Sequence, residues 1–406
     1  MKLESLYKSE KPVPIICDSF INTLGLVRSF GEEGINSIVI DFKKGIATAS
    51  KYASWIKSPH PKEEESFILF LIALGKKLRT KGFILVTNDI WLLPIARNKK
   101  RLEKYFIVPM SNWDIVNNAL NKTFLYDFAK RYHISHPKTC IIKNLDIDYD
   151  KLKGLRYPII LKPSMTTDFT GVVEEPRNTI VKDEKDLKRW LESIRKYQFK
   201  NIEIIAQEYI PGGIETLYTI TSYTDMNGQL KAFSIGHKIR QYPLNAGTIT
   251  SGKVIYNELL YNTAKDFFQK FKFHGIANTE FKYDERDNSF KLIEINARPG
   301  KWNYSACATG INLPLIAYKD LIFNDTSDGI LFNKKELIWI DGLNDYIAYI
   351  KINHKYFWSI KNLISWWKSF DDKSNKVYAI FNIHDMKPFF YSFGIKIQNR
   401  LKRIFL

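Results

Sequence analysis

The sequence predicts a mixed chain: an N-terminal parallel α/β domain, a central α+β body of antiparallel sheets, and a basic, aromatic C-terminal helical extension. Three observations carry this. Apolar strands alternate with helical segments as far as about residue 90. Short strands of alternating character dominate between residues 139 and 295. Beyond Lys334, tryptophan, tyrosine and phenylalanine crowd together with lysine and arginine. At 406 residues, 45% hydrophobic and 26% charged, the chain has material for two or three packed subdomains plus an appendage. The boundaries fall at 1–115, 116–332 (itself divided at 208/209) and 333–406.

The first element is the run Val-Pro-Ile-Ile-Cys ending at Asp18. A helical segment with Leu24, Val27 and Phe30 on one face follows, and then Ser-Ile-Val-Ile-Asp41, which completes a βαβ unit. A helix around Glu64–Thr80 and the strand Phe83–Thr87 extend the alternation, so ligand-binding loops are expected at these strand ends. In the middle region a helix is expected over Ala119–His133. The expected strands are Thr139–Ile142, Tyr157–Lys162, Ile202–Glu208, Leu217–Thr224, Lys231–His237, Asn278–Tyr283 and Phe290–Ile295, with helices near Glu184–Lys196 and Thr263–Lys272.

The formal net charge of +18 favours an anionic partner without choosing among nucleotide, nucleic acid, acidic substrate and lipid. Three scattered cysteines, with no Cys-x-x-Cys or Cys/His spacing, argue against a disulfide framework and a zinc site. No apolar leader and no stretch of about twenty apolar residues is present, so the expected location is the cytoplasm.

The chemistry-bearing residues lie in the middle. On a strand Glu294 and Asn296 face the same way, Arg298 follows as the strand ends, and Glu280 sits on what reads as the paired strand. Two carboxylates and a carboxamide are hard oxygen ligands suited to Mg²⁺. The same pattern also serves as the solvent face of an ordinary hairpin, so context has to decide. Lys122, Lys162, Lys238 and Arg240 are cations available to a polyphosphate. The last two share one face of a strand.

Taken in order, these segments resemble the ATP-grasp superfamily. Asn121-Lys122 before Ile134-Ser-His-Pro137-Lys-Thr139 is similar to the start of that fold, and Tyr157–Lys162 to the strand whose lysine contacts ATP phosphates. Gln207-Glu208-Tyr-Ile210-Pro-Gly-Gly-Ile-Glu215 is similar to the hinge over adenine. Thr-Glu280-Phe followed by Glu294-Ile-Asn296-Ala-Arg298-Pro-Gly is similar to the metal signature. The resemblance covers residues 119–313. It implies ATP and two Mg²⁺ ions, with Mn²⁺ as an alternative, and a carboxylate joined to an amine through an acyl phosphate. It assigns Lys122, Lys162, Glu208, Tyr209, Ile210 and Glu215 to ATP, and Glu280, Glu294 and Asn296 to metal. Arg298, Lys238 and Arg240 are assigned to the reacting groups. Two departures stand out: Asn121 where an acid is common, and a glycine-poor loop after Lys162, where hydroxyls of Ser164, Thr166, Thr167 and Thr170 would have to cover the phosphates. The N-terminal pattern is similar to ligases of the D-aspartate ligase type, with Asp18, Asn22 and Arg28 as candidate substrate contacts.

The tail interleaves Phe393, Ile395, Ile397, Leu401, Ile404 and Phe405 with Lys396, Arg400, Lys402 and Arg403. This is a pattern for an anionic membrane surface or for a helix packed on the body. A membrane-apposed ligase would suit a cell-envelope acceptor; a small peptide or amino-acid conjugate is the alternative product. A nucleic-acid binder is disfavoured because no recognition motif accompanies the charge, and a non-catalytic nucleotide regulator because the Glu280–Arg298 set is complete.

Overall fold

The computed structural model describes residues 3–146, 152–169, 172–173, 178–244, 247–325, 329–332, 335–355, 359–370 and 373–394. The N-terminal domain is a parallel five-stranded sheet: β1 (Pro14–Cys17), β2 (Ser37–Asp41), β3 (Ala53–Lys57), β4 (Gly82–Val86) and β5 (Phe106–Ile107), in the order β3-β2-β1-β4-β5. Strands β1, β2 and β4 are buried along their whole length, as continuous apolar runs covered on both faces must be. The strand order reverses between β1 and β4. The loops that leave their C-terminal ends, Asp18–Asn22 and Thr87–Asp89, therefore open side by side into a crevice.

A four-stranded antiparallel sheet follows, made of β6 (Thr139–Lys143), β7 (Ile159–Pro163), β8 (Thr179–Val181) and β9 (Glu203–Glu208), in the order β6-β9-β7-β8. The Glu184–Arg195 helix starts where the Asp183 side chain accepts from the Asp186 amide at 2.8 Å. It buries Leu187, Trp190, Leu191 and Ile194 among Ile159, Leu161 and Ile204 of the sheet.

The third sheet contains β10 (Leu217–Thr224), β11 (Leu230–Tyr242), β12 (Thr248–Ile255), β13 (Gly275–Asp284), β14 (Ser289–Asn296), β15 (Leu331–Phe332), β16 (Leu337–Ile340) and β17 (Asn375–Tyr378). Its main path runs β14-β13-β10-β11-β12-β16-β17, and β15 pairs with β11. One face is packed by the Glu258–Phe271 helix, whose Leu260, Ala264, Phe267, Phe268 and Phe271 recur at helical spacing.

Two expectations need correction. The helix expected over Ala119–His133 is two helices, Trp113–Leu120 and Lys122–Arg131. Asn121 between them is extended, and its side chain caps the second helix by accepting from the Phe124 amide at 3.1 Å. This cap gives the asparagine a structural role where an acid is the commoner residue. The C-terminal extension is also not purely helical. Its buried Leu-Ile-Trp-Ile run forms β16 against β12, and β17 pairs with β16, so the extension widens the third sheet.

Candidate active site between the two antiparallel sheets

A cavity of about 860 Å³ lies between the four-stranded sheet and the larger sheet, with the crevice of the N-terminal domain at one end. Its floor is the β13–β14 ladder, where Glu280 stands directly opposite Glu294, and Asn278 opposite Asn296. Facing like charges destabilise a strand pair, so this arrangement requires cations nearby. Three lysines supply them. Lys238 Nζ lies 3.6 Å from Glu280 Oε1 and Lys122 Nζ lies 3.8 Å from Glu294 Oε2. Lys162 Nζ contributes to the field on both carboxylates.

The two carboxyls are held differently. Burial pushes Glu280 above the usual carboxylate range, and Glu294 adds to this, against the opposing pull of Lys238. Burial acts on Glu294 too, but Lys122, Lys162 and the Asn296 amide outweigh it and hold this carboxyl low. Both side chains keep a fifth to a third of their surface open to the cavity (22% for Glu280, 32% for Glu294). Two such carboxylates with the Asn296 carboxamide beside them are a hard-oxygen donor set that fits a divalent cation such as Mg²⁺.

Lys162 comes from β7 and is almost fully buried. Its ammonium donates to Tyr126 Oη at 2.8 Å and Gln207 Oε1 at 2.9 Å. Burial lowers its pKa to about 8 in spite of the two nearby glutamates. Lys122 is the first residue of the Lys122–Arg131 helix and is likewise buried on the cavity wall.

Beyond β9 the chain turns at Glu208, Tyr209 and Ile210, which all line the cavity. The turn is fixed by Glu208 Oε1 accepting from the Lys138 amide at 2.7 Å and by the Tyr209 amide donating to Pro158 O at 3.3 Å. Glu215 is exposed beside the wall formed by Gly213 and Ile214. Amide hydrogen bonds, its own and that of Gly213 at 2.8 Å, hold its carboxylate low.

The crevice of the N-terminal domain completes the site. Arg298 forms a two-pronged pair with Asp89 across the domains, Nε to Oδ1 at 2.6 Å and Nη2 to Oδ2 at 3.0 Å, and reaches Asn296 Oδ1 at 3.3 Å. Asn22 lines the cavity and donates to Thr87 O at 3.0 Å. Asp18 is buried in the unusual φ of 94° and accepts from the Ser19 amide at 2.7 Å and Thr87 Oγ1 at 3.0 Å. Burial raises its pKa to about 6.

Three sequence-based expectations are displaced. Arg240 does not join Lys238, because β11 changes register between residues 238 and 240 and turns Arg240 to the far side. There it pairs with buried Asp345 (Nη2 to Oδ2 2.8 Å) and lies over Phe370. Arg28 is fully buried and bonded to Asp385 at 3.1 Å and to the carbonyls of Ala379, Ile380 and Asp385, which removes it from any substrate. Ser164 Oγ donates to the capping Asn121 Oδ1 at 2.9 Å, so it knits β7 to a helix start; the side chains of Thr166 and Thr167, and Thr170 itself, lie outside the described residues. Conversely, Tyr126, Gln207 and Asp89 stand at the candidate site without having been given a role. The signal for Gln207 was a lone polar residue closing the apolar run Ile204-Ile-Ala, and for Asp89 its place at a strand-end loop.

Residues 237–335 match the family described as "ATP-grasp in the biosynthetic pathway with Ter operon". A D-aspartate ligase of Enterococcus faecium (strain Aus0004) is 27% identical over 352 residues, spanning 82% of this chain and 83% of that protein. Among solved structures, N5-carboxyaminoimidazole synthetase from Staphylococcus aureus complexed with ADP superposes with a TM-score of 0.63 at 16% identity, over 92% of this chain and 93% of that one. L-amino acid ligase from Bacillus licheniformis gives 0.59 at 15% identity, over 82% and 79%. The chain carries an ATP-grasp domain. Like the ligases it matches, it is an enzyme that forms carbon–nitrogen bonds.

Proposed function

We propose that the chain uses ATP to convert a carboxylate into an acyl phosphate and passes the acyl group to an amine, releasing ADP and phosphate. In this reading a carboxylate oxygen attacks the γ-phosphorus and ADP leaves; the amine then attacks the acyl carbon and phosphate leaves with the bonding pair. Lys122 and Lys162 hold the polyphosphate, and Lys238 steadies the phosphoryl group in transfer. Arg298 receives the negative charge that grows on the acyl oxygen as the amine adds. The Tyr209 amide is already engaged, so the backbone of Ile210 is left to read adenine, while Glu215 accepts from the ribose hydroxyls. Glu280, Glu294 and Asn296 would hold Mg²⁺, which supplies charge neutralisation on the phosphates when bound.

The observation that carries this reading is the pair of opposed glutamates ringed by three lysines on one cavity floor. Apart from a bound cation and polyanion, such an arrangement costs stability and returns nothing. The test is amino-acid-stimulated phosphate release, screened over D- and L-amino acids against cell-envelope precursors and small amines, with mass spectrometry of the amide formed. Glu294→Gln is expected to lower turnover at least about 10³-fold with an unchanged circular dichroism spectrum; full activity would refute the assignment. For substrates, the similarity to a D-aspartate ligase favours an amino acid as the carboxylate.

A further inference from the structure

We propose that the C-terminal extension carries a preformed docking surface for an anionic lipid bilayer, centred on the Ile360–Lys368 helix. The helix is apolar on two sides. Its inner side is anchored by Trp366, which is buried, donates its indole N–H to Asp345 Oδ2 at 2.8 Å and meets Tyr346 and Phe370 edge-on. On its outer side Ile360, Leu363, Ile364 and Trp367 follow one another at i, i+3, i+4 and i+7, with 79%, 50%, 51% and 42% of their surface open to solvent. A helix that has already satisfied its packing and still presents a full apolar stripe outward is the pattern of an interfacial helix.

The stripe does not stand alone. Trp367 stacks on Tyr378 (centroids 6.4 Å apart, planes at 11°), Tyr378 meets Phe381 at 6.0 Å, and Phe381 meets Phe389 at 5.5 Å. Phe390 and Phe393, 63% and 62% exposed, extend this ladder along the helix at 387–394. Contiguous exposed apolar area on this scale marks an interaction surface. Charge identifies the partner. Residues 351–406 hold eleven lysines and arginines against three aspartates, so this stretch carries a large share of the net charge of +18. The aspartate among these that is described, Asp385, is buried against Arg28. Lys361 and Lys368 flank the stripe in exposed positions, and Lys376 Nζ lies 5.5 Å over the Trp367 ring. Apolar and aromatic residues ringed by lysine fit the boundary between acyl chains and anionic headgroups. None of these residues lines the cavity, so the inference does not depend on the ligase substrates. It also relocates the contact expected from sequence. Of the tail residues 393–405, only Phe393 and Gly394 are among the described residues, whereas the described surface is complete without the rest.

The experiment is sedimentation of the full chain with vesicles of phosphatidylcholine alone, or with about one-third phosphatidylglycerol, near physiological salt. Binding is expected to the anionic vesicles and to be weak with the neutral ones. Ile364→Glu and Phe390→Glu are each expected to weaken it at least tenfold, and Lys361→Glu with Lys368→Glu by roughly fivefold per lysine, all with unchanged melting temperature and phosphate release. Failure of the full chain to bind, or equal binding by these variants, overturns the proposal. So does a truncation after Gly394 that abolishes binding while Ile364→Glu leaves it intact, since the contact would then belong to the tail. A wild-type dimer that Ile364→Glu dissociates would likewise overturn it, by making this face a subunit interface.

Discussion

In the proposed reaction Lys162 meets the phosphates of the nucleotide. Its ammonium is buried, bonded to two neutral oxygens, and attracted by Glu294 and Glu280 too weakly to offset desolvation, so it loses its proton near pH 8. The charge is present below that pH and lost above it. A triphosphate placed beside it favours the charged form, so nucleotide binding above pH 8 must take up a proton. Calorimetry in buffers of different ionisation enthalpy is expected to show this uptake, with the Kd for ATP weakening up to about tenfold per pH unit between 8 and 10. Lys162→Met should bind poorly at every pH and show no such slope; a wild-type Kd flat across this range would remove Lys162 from the phosphate site. The lysine and the two glutamates were legible because alternation along a strand reports side-chain facing directly. Tyr126 and Gln207, which hold the lysine, come from a helix 36 residues before it and a strand 45 residues after it, and a linear pattern contains no sign of their meeting.

At the scale of elements, most of the strands expected from sequence fall within a few residues of their expected limits, because apolar alternation and turn residues set both. What alternation cannot report is a bulge. The irregularity in β11 sends Lys238 into the cavity and Arg240 toward the Gly342–Ile352 helix, where Asp345 accepts from Arg240 Nε, Thr250 Oγ1 and Trp366 Nε1. This aspartate therefore joins the third sheet to the Gly342–Ile352 and Ile360–Lys368 helices. Asp345→Ala leaves a buried guanidinium unpaired, and the expected cost is about 3–5 kcal/mol, read as a shift in the urea midpoint. Because Arg240 does not line the cavity, the KM for ATP of the folded variant should stay within about twofold of wild type; a large rise would return Arg240 to the chemistry. The C-terminal strands β16 and β17 escaped the reading for a related reason. In β16 a run of four buried residues is too short to distinguish from a piece of helix without its partner strand, and β17, Asn-Lys-Val-Tyr, has no buried residue to mark it.

Across the whole molecule, an ion pair ties the N-terminal domain to the ATP-grasp body at one end of the cavity. Arg298 extends from the end of β14 and Asp89 opens the helix after β4, and both prongs of the guanidinium are engaged. A planar fork held at two points cannot rotate, so the N-terminal domain fixes the direction in which Arg298 faces the cavity, and with it the role proposed for this residue. Asp89→Asn keeps the shape and one acceptor but removes the charge and the second prong. The loss should fall on the step in which charge develops. The expected result is a kcat lowered roughly 10- to 100-fold with the KM for ATP nearly unchanged, because the proposed nucleotide contacts lie on the two sheets. Both partners keep part of their surface open, 17% for Arg298 and 27% for Asp89, so the melting temperature should move little. A fall in melting temperature with normal kcat would reduce the pair to a domain fastener. A kcat loss in a protein of normal stability would make the strand-end crevice of the first domain part of the catalytic apparatus of the second.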